Sequence, residues 1–134
     1  MKVPQIKAEL FISGQDFDPN LITDSIGINP TCVRKREDFP KASIDCGVAH
    51  TFWKWETMRE KSYAVSNQME EMLQSISGKE KRINELCKKY KLETIIVIII
   101  HMRRNNPPEM VLSKEIVAFI ASINAEIGFD MYID

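Results

Sequence analysis

The sequence has few histidines and cysteines and lacks the common catalytic and metal-binding motifs. Its 134 residues include two histidines, His50 and His101, and three cysteines, Cys32, Cys46 and Cys87. The cysteines are too far apart to form a metal-binding CxxC pair. The phosphate-loop, GxGxxG, HExxH and GxSxG motifs are also absent from the sequence. We therefore expect no metal and no cofactor, and we predict that the protein is not an enzyme.

The sequence also lacks a long apolar run and an excess of charge of one sign. Its longest apolar stretch, residues 95–100, is far too short to cross a bilayer, and no apolar signal-peptide core follows the first residues. Lysine and arginine number 18 against 19 aspartates and glutamates, which gives a net charge of −1. A broad nucleic-acid-binding surface needs clustered positive charge. We predict a cytoplasmic protein that binds neither membranes nor nucleic acid.

With 134 residues, 44% of them hydrophobic, the chain is long enough for one domain, which we place at residues 1–134.

The first half of the chain predicts three strands and one helix. Residues 6–13 alternate in polarity, as in a half-buried strand. Asp18-Pro19 is a good helix start. Residues 32–36 are typical of a short, polar edge strand. Residues 37–49 are predicted as a loop, and residues 51–56 as a strand.

The second half predicts helices and two further strands. Residues 65–90 have helical periodicity interrupted at Gly78, which fits two helices or one bent helix equally well. Residues 95–100 are apolar throughout, so we predict a central strand that is covered on both faces. A helix capped by Ser113 and an alternating strand over residues 127–133 complete the chain.

The order of these elements predicts an α+β fold. The expected sheet has five strands, is mostly antiparallel, and has its helices packed on one face. The first six elements match the ferredoxin-like β-α-β-β-α-β motif, here extended by a C-terminal α-β unit. In that arrangement the first strand lies beside the Ile-rich strand, and the last strand lies parallel to the Ile-rich strand.

Several segments resemble a known family. Residues 12–23 contain the end of a predicted strand with its closing glycine, then an Asp-Pro helix start, and then Ile-Thr. Residues 26–31 contain an isoleucine followed by Gly-Ile-x-Pro-Thr. The Trp-containing strand at residues 53–55 and the terminal Gly-Phe-Asp-Met-Tyr at residues 128–132 agree with the same pattern. The sequence thus resembles the bacterial family catalogued as domain of unknown function 4279. The resemblance implies a bacterial source and a small α+β fold, and it brings no established catalytic residues.

Two tryptophans are the first candidates for contact with a partner or ligand. Trp53 and Trp55 lie on the same face of their predicted strand. On an exposed face they would stack on a planar ligand or anchor a protein partner. On the opposite face they would pack under the helices as core residues, and this is the interpretation that we favour.

Basic residues form the second group of candidates. Arg34 and Arg36 belong to the predicted edge strand, and His101 is followed closely by Arg103 and Arg104. Such charges are usually a solvated edge of the sheet. If the two clusters meet in space, an anionic ligand or an acidic partner would fit between them.

Three function classes remain after these exclusions. The leading hypothesis is a non-enzymatic module that binds a protein partner, specifically a toxin-neutralising immunity protein. The alternative is a sensor domain that binds an anionic or planar metabolite. A third hypothesis is an enzyme that uses His101, or a thiol of Cys46 or Cys87 activated by a histidine. The sequence makes no prediction of oligomeric state.

Overall fold

A single mixed, mostly antiparallel sheet organises the computed structural model, which describes residues 2–134. Its strands are β1 (Gln5–Gly14), β2 (Cys32–Arg34), β3 (Thr51–Glu56), β4 (Glu60–Lys61), β5 (Glu93–Met102) and β6 (Glu126–Ile133). Five of them follow the order β2-β3-β1-β5-β6, and β4 pairs with the start of β1. All strand pairs are antiparallel except β5 with β6. The protein therefore has the α+β fold that the sequence predicts.

Five α-helices connect these strands within the described residues. They are α1 (Asn20–Ile26), α2 (Lys41–Asp45), α3 (Val65–Ile76), α4 (Glu80–Tyr90) and α5 (Lys114–Ser122). The Asp18 carboxylate accepts a hydrogen bond from the Asn20 N–H at 3.0 Å, and the Ser113 hydroxyl accepts one from the Ile116 N–H at 3.2 Å. Both predicted helix starts are thus confirmed. None of these helices combines the length and hydropathy that a membrane span requires.

The strand pairing agrees with the main features of the predicted sheet. β1 lies beside β5, and β6 lies parallel to β5, as expected. The sheet nevertheless has six strands instead of five, because the two-residue strand β4 follows β3. The description as a ferredoxin-like motif stays a prediction.

Two local predictions are corrected or resolved. Residues 37–49 are not a plain loop: they contain the end of a short 3₁₀ helix, Arg36–Asp38, and all of α2. Between Val65 and Tyr90 the chain forms two separate helices, and the break falls where Gly78 has a φ of 84°. Glycine suits this left-handed conformation because it has no Cβ.

One face of the sheet packs on the helices and forms the core. β1 contributes alternate residues, such as Ile6 and Leu10, and β5 contributes Ile96 and Ile98. The helices contribute buried residues to the same cluster: Ile22, Ile26, Met69, Met72, Ile76, Ile83, Ile116, Phe119 and Ile120. Since α1, α3, α4 and α5 all reach this cluster, the predicted packing of helices on one face is present.

Trp53 is a core residue. Its side chain is fully buried, and its Nε1–H donates a hydrogen bond to the hydroxyl of Thr23 on α1 at 3.0 Å. Trp55 lies on the same face, half-buried at the margin of the core. The favoured interpretation of the tryptophans as packing residues therefore fits the structure, and Trp53 is not accessible to a partner.

We predict that Trp53→Phe lowers the free energy of unfolding by about 2 kcal/mol, because it removes a buried ring and leaves the Thr23 hydroxyl without its donor. Trp55→Phe is the matched control at a half-buried position, with an expected loss below about 1 kcal/mol. Urea unfolding of both variants measures the difference. Equal losses would contradict the assignment of Trp53 to the centre of the core.

Candidate functional site

The second face of the sheet points away from the core helices, and we call it the open face. On β5 the side chains alternate, so Ile96, Ile98 and Ile100 are fully buried while Ile95 and Ile99 are only half-buried. The strand lies inside the sheet, between β1 and β6, as predicted, but the prediction that it is covered on both faces is wrong. The open face carries Gln5, Lys7, Glu9, Phe11 and Ser13 of β1, Cys32 and Arg34 of β2, Phe52, Lys54 and Glu56 of β3, Ile95, Val97, Ile99 and His101 of β5, and Glu126, Gly128, Asp130 and Tyr132 of β6.

Four charged side chains form a closed cluster on the open face, which we call the charged ring. Glu9 and Glu56 are directly opposite each other on β1 and β3. The Lys7 Nζ lies 2.9 Å from the Glu56 carboxylate and 3.4 Å from that of Glu9, and the Lys54 Nζ lies 3.3 Å from Glu9 and 3.7 Å from Glu56. Each lysine thus bridges both carboxylates, which offsets the repulsion that two opposed glutamates would otherwise have.

The charged ring is largely withdrawn from solvent, and this affects its ionisation. The exposed fraction of its side chains is between 9% and 19%. Burial alone would raise the pKa of Glu56, but the hydrogen bond from Lys7 and the attraction of Lys54 hold that pKa below its usual value. The hydrogen bond to Glu56 raises the pKa of Lys7 against the opposing effect of burial. Both groups are therefore charged at neutral pH.

The pKa of Glu56 predicts an acid-sensitive contribution to stability. Because this pKa is lower in the folded protein, the unfolded chain binds the extra proton, and the contribution is lost as pH falls below about 4.5. We expect Glu56→Gln to flatten the fall in the free energy of unfolding between about pH 5 and pH 3. Urea unfolding across this range is the measurement. Glu71→Gln, at an exposed position on α3, should keep the wild-type slope, and an unchanged slope in Glu56→Gln would refute the argument.

Apolar side chains lie beside the charged ring. Ile95, Val97 and Ile99 form a column along β5, and each is half-buried. Phe11 and Phe52 extend this apolar surface, with their rings packed edge to face at a centroid distance of 5.5 Å. The open face therefore combines an apolar column with a neutralised cluster of charges.

His101 lies at one end of the open face. Its ring stacks on that of Tyr132 with centroids 4.6 Å apart and an interplanar angle of 11°. A small cavity of about 110 Å³ lies beside it, and its lining includes Lys2, Gln5, Arg103 and Asp134. This cavity brings His101 near other polar groups, but the lining mixes cationic and anionic side chains and is not a dedicated anion site.

The two basic clusters do not meet. In the register of the sheet, Arg34 of β2 pairs with Phe52 of β3, and Phe52 pairs with Ser13 of β1. Ser13 in turn pairs with Glu93 at the start of β5. Arg103 follows the end of the same strand. The two clusters are therefore three inter-strand spacings apart across the sheet and about ten residues apart along the strand direction. Together these displacements place their backbones over about 30 Å apart. A single anionic ligand therefore does not bridge them.

Each basic cluster has its own local surroundings. Arg34 is exposed, and its guanidinium lies 3.9 Å from the ring centroid of Phe39. The Arg36 N–H donates a hydrogen bond to the Thr51 hydroxyl, which fixes the chain beyond β2. Arg103 and Arg104 are exposed, and the Arg104 N–H donates to the Asp134 carbonyl. These contacts are typical of a solvated sheet edge.

Within residues 2–134 no cysteine thiol is hydrogen-bonded to a histidine. Cys87 lies at the margin of the core, with its sulfur 3.4 Å from the Thr94 hydroxyl. Burial raises the pKa of Cys87, so the thiolate that a nucleophile needs is disfavoured. Cys46 is exposed, and its thiol donates to the Ser43 carbonyl. Within residues 2–134 no three His, Cys, Asp or Glu side chains are grouped as metal ligands.

The charged ring and Tyr132 are absent from the candidates that the sequence suggests. A signal for the ring does exist, because Lys7 and Glu9 alternate with apolar residues in β1, as Lys54 and Glu56 alternate with tryptophans in β3. The sequence cannot show that these charges meet, since their contact depends on the register between strands that are more than 40 residues apart.

Comparison with protein families identifies a relationship over nearly the whole chain. Residues 4–134 match the family described as Domain of unknown function (DUF4279). The chain belongs to that family. No curated protein and no solved structure matches it. The family resemblance seen in the sequence is thereby confirmed, and the family description assigns no activity to the residues of the open face.

Proposed function

We propose that the protein is a non-enzymatic binding module that contacts a protein partner through its open face. The observation that carries the proposal is the half-buried column of Ile95, Val97 and Ile99 on a sheet face that points away from the core helices. Contiguous apolar surface that is rimmed by polar groups is typical of protein–protein contact. The charged ring supplies that polar rim on one side, and the acidic residues of β6 supply it on the other.

The electrostatics of the open face favour a protein over a small molecule. Small ligands usually occupy concave sites of roughly 300–1,000 Å³, and the cavity of about 110 Å³ beside His101 is below that range. Clefts of about 460 Å³ at Ser13 and about 420 Å³ at Lys7 border the open face, so the preference for a protein rests on charge and not on volume. The charged ring satisfies its own charges, so a flat partner can cover it without leaving a buried unpaired ion. A macromolecule that buries the apolar column gains the free energy of removing it from water.

Open-face substitutions test this proposal once a partner has been purified with the protein. Val97→Asp places a charge in the apolar column, and we expect it to weaken the complex at least about tenfold. Lys81→Glu on the exposed surface of α4 is the matched control, with unchanged affinity expected. Calorimetry with purified components gives both values. Equal affinity for the wild type and Val97→Asp, with both proteins folded, would refute the open face as the binding surface.

Our more specific hypothesis within this class is a toxin-neutralising immunity protein of the bacterial cytoplasm. The support is small size, the absence of a recognised catalytic motif from the sequence, and a surface suited to a protein partner. Co-purification of the protein with the product of a neighbouring gene, and loss of that product's toxicity in its presence, are the observations that would establish it.

A small-ligand sensor is the second candidate, because a wider cleft lies at the other end of the open face. Its lining includes Ser13, His50, Lys91 and Glu93, and its volume is about 460 Å³. His50 and Lys91 would face an anionic metabolite, although Glu93 offsets part of their charge. We expect a ligand at ten times its Kd to raise the unfolding free energy by about 1.4 kcal/mol, and Lys91→Ala to remove this effect. A thermal-shift screen in which no metabolite stabilises the wild type would reject this candidate.

A further inference from the structure

The two edges of the sheet differ in their protection against strand pairing. β2 is three residues long, Pro30 precedes it closely, and Arg34 lies at its end. Short length, proline and charge are the usual ways in which an edge strand avoids unwanted partners. β6 is eight residues long and has no proline, lysine or arginine. The β6 edge is therefore the one that can accept another strand.

The backbone groups available on this edge follow from the pairing of β6 with β5. The Asp134 N–H donates to the Met102 carbonyl at 3.0 Å, and the Asp134 carbonyl accepts from the Arg104 N–H at 3.2 Å. Because N–H and C=O directions alternate along a strand, the groups of residues 127, 129, 131 and 133 point away from β5. An incoming strand would find four outward N–H and C=O pairs, one at each of these residues.

The side chains along β6 are sorted by chemistry between the two faces. Phe129, Met131 and Ile133 project on the core side, with exposed fractions of 40%, 43% and 50%. On the open face β6 presents Glu126, Gly128, Asp130 and Tyr132, and neither of the two acids has an ion pair within residues 2–134. A complementary strand would therefore place apolar side chains on one face and basic side chains on the other.

We propose that the β6 edge binds an extended segment of the partner protein in which apolar and basic residues alternate, and that this segment continues the sheet. The inference rests on the proposed function as a protein-binding module and names the docking site and the partner chemistry. Main-chain hydrogen bonds to the outward groups of β6 supply the attachment. Lysine or arginine opposite Glu126 and Asp130 supplies the selectivity.

The charges of β6 argue against a second copy of this chain as the occupant. When two copies of β6 pair antiparallel with their open faces on the same side, Asp130 lies opposite or diagonal to an acidic residue of the other copy. This follows because Glu126, Asp130 and Asp134 are four residues apart, so that every second residue on that face is acidic. The basic strand β2 of another copy is only three residues long and cannot match the length of β6. A basic strand from a different protein meets neither obstacle.

The test uses a synthetic peptide in which lysine and valine alternate, added to the 134-residue protein. We expect slower amide hydrogen exchange at Phe129 and Met131, whose N–H groups point outward, and a smaller change at Asp130, whose N–H already faces β5. Asp130→Lys should weaken peptide binding about tenfold in fluorescence anisotropy. Asp130→Asn, a milder change, should weaken it less, and Glu115→Lys on the exposed surface of α5 should leave it unchanged.

Two control peptides and one further measurement complete the test. A glutamate–valine peptide, and a lysine–valine peptide with alternate backbone nitrogens methylated, should both fail to protect β6. The proposal is overturned if the lysine–valine peptide gives no protection, or if its affinity is the same for Asp130→Lys and Asp130→Asn as for the wild type. A dimer in sedimentation that Met131→Pro dissociates would also overturn it, since the occupant would then be a second copy.

The same variants separate this inference from the proposed function. If a purified partner loses affinity for Val97→Asp but binds Asp130→Lys as tightly as the wild type, the open face is the binding surface and the strand-addition proposal fails. If both variants weaken the complex, both proposals are supported. If neither does, both are rejected.

Discussion

The antiparallel pairing of β1 with β5 determines what each face of the sheet carries. Its register sets Ile6 opposite Ile100 and Leu10 opposite Ile96 on the core side, and Glu9 opposite Val97 on the open face. Because side chains alternate with a period of two, a slip of one residue would move the charged side chains of β1 under the helices. The unpaired burial of those charges would oppose such a slip, so the charged ring helps to specify the register.

The charged ring in turn links β1 to β3. Glu9 and Glu56 would repel each other if they were alone, so their direct opposition requires both lysines. Removing these charges from water costs much of what their mutual attraction gains, and the ring is therefore a modest source of stability. Its greater effect is on the surface, because it places four charges at the centre of the open face without producing a net charge there.

The sequence predicts those features that depend on local pattern, and it fails where contacts between distant strands decide. The alternation in β1, the caps at Asp18 and Ser113 and the break at Gly78 are all local, and the structure has each of them. The burial of both faces of β5 was predicted wrongly, because the sequence does not distinguish an isoleucine on an open sheet face from an isoleucine under a helix. The short strand β4 has too few residues to show a periodicity, and the charged ring depends on register.

The open face and the β6 edge would make different physical contributions to the proposed binding. The charged ring is already paired, so covering it leaves no charge that a partner must neutralise, and the adjacent apolar column provides surface to bury. Glu126 and Asp130 have no such pairing within residues 2–134, so covering them without a cation would be costly. In the proposed binding mode, area on the open face would provide attraction with little discrimination, while the acidic edge would discriminate between partners by their charge. A sheet that divides the two contributions in this way would be selective through its edge and not through its face.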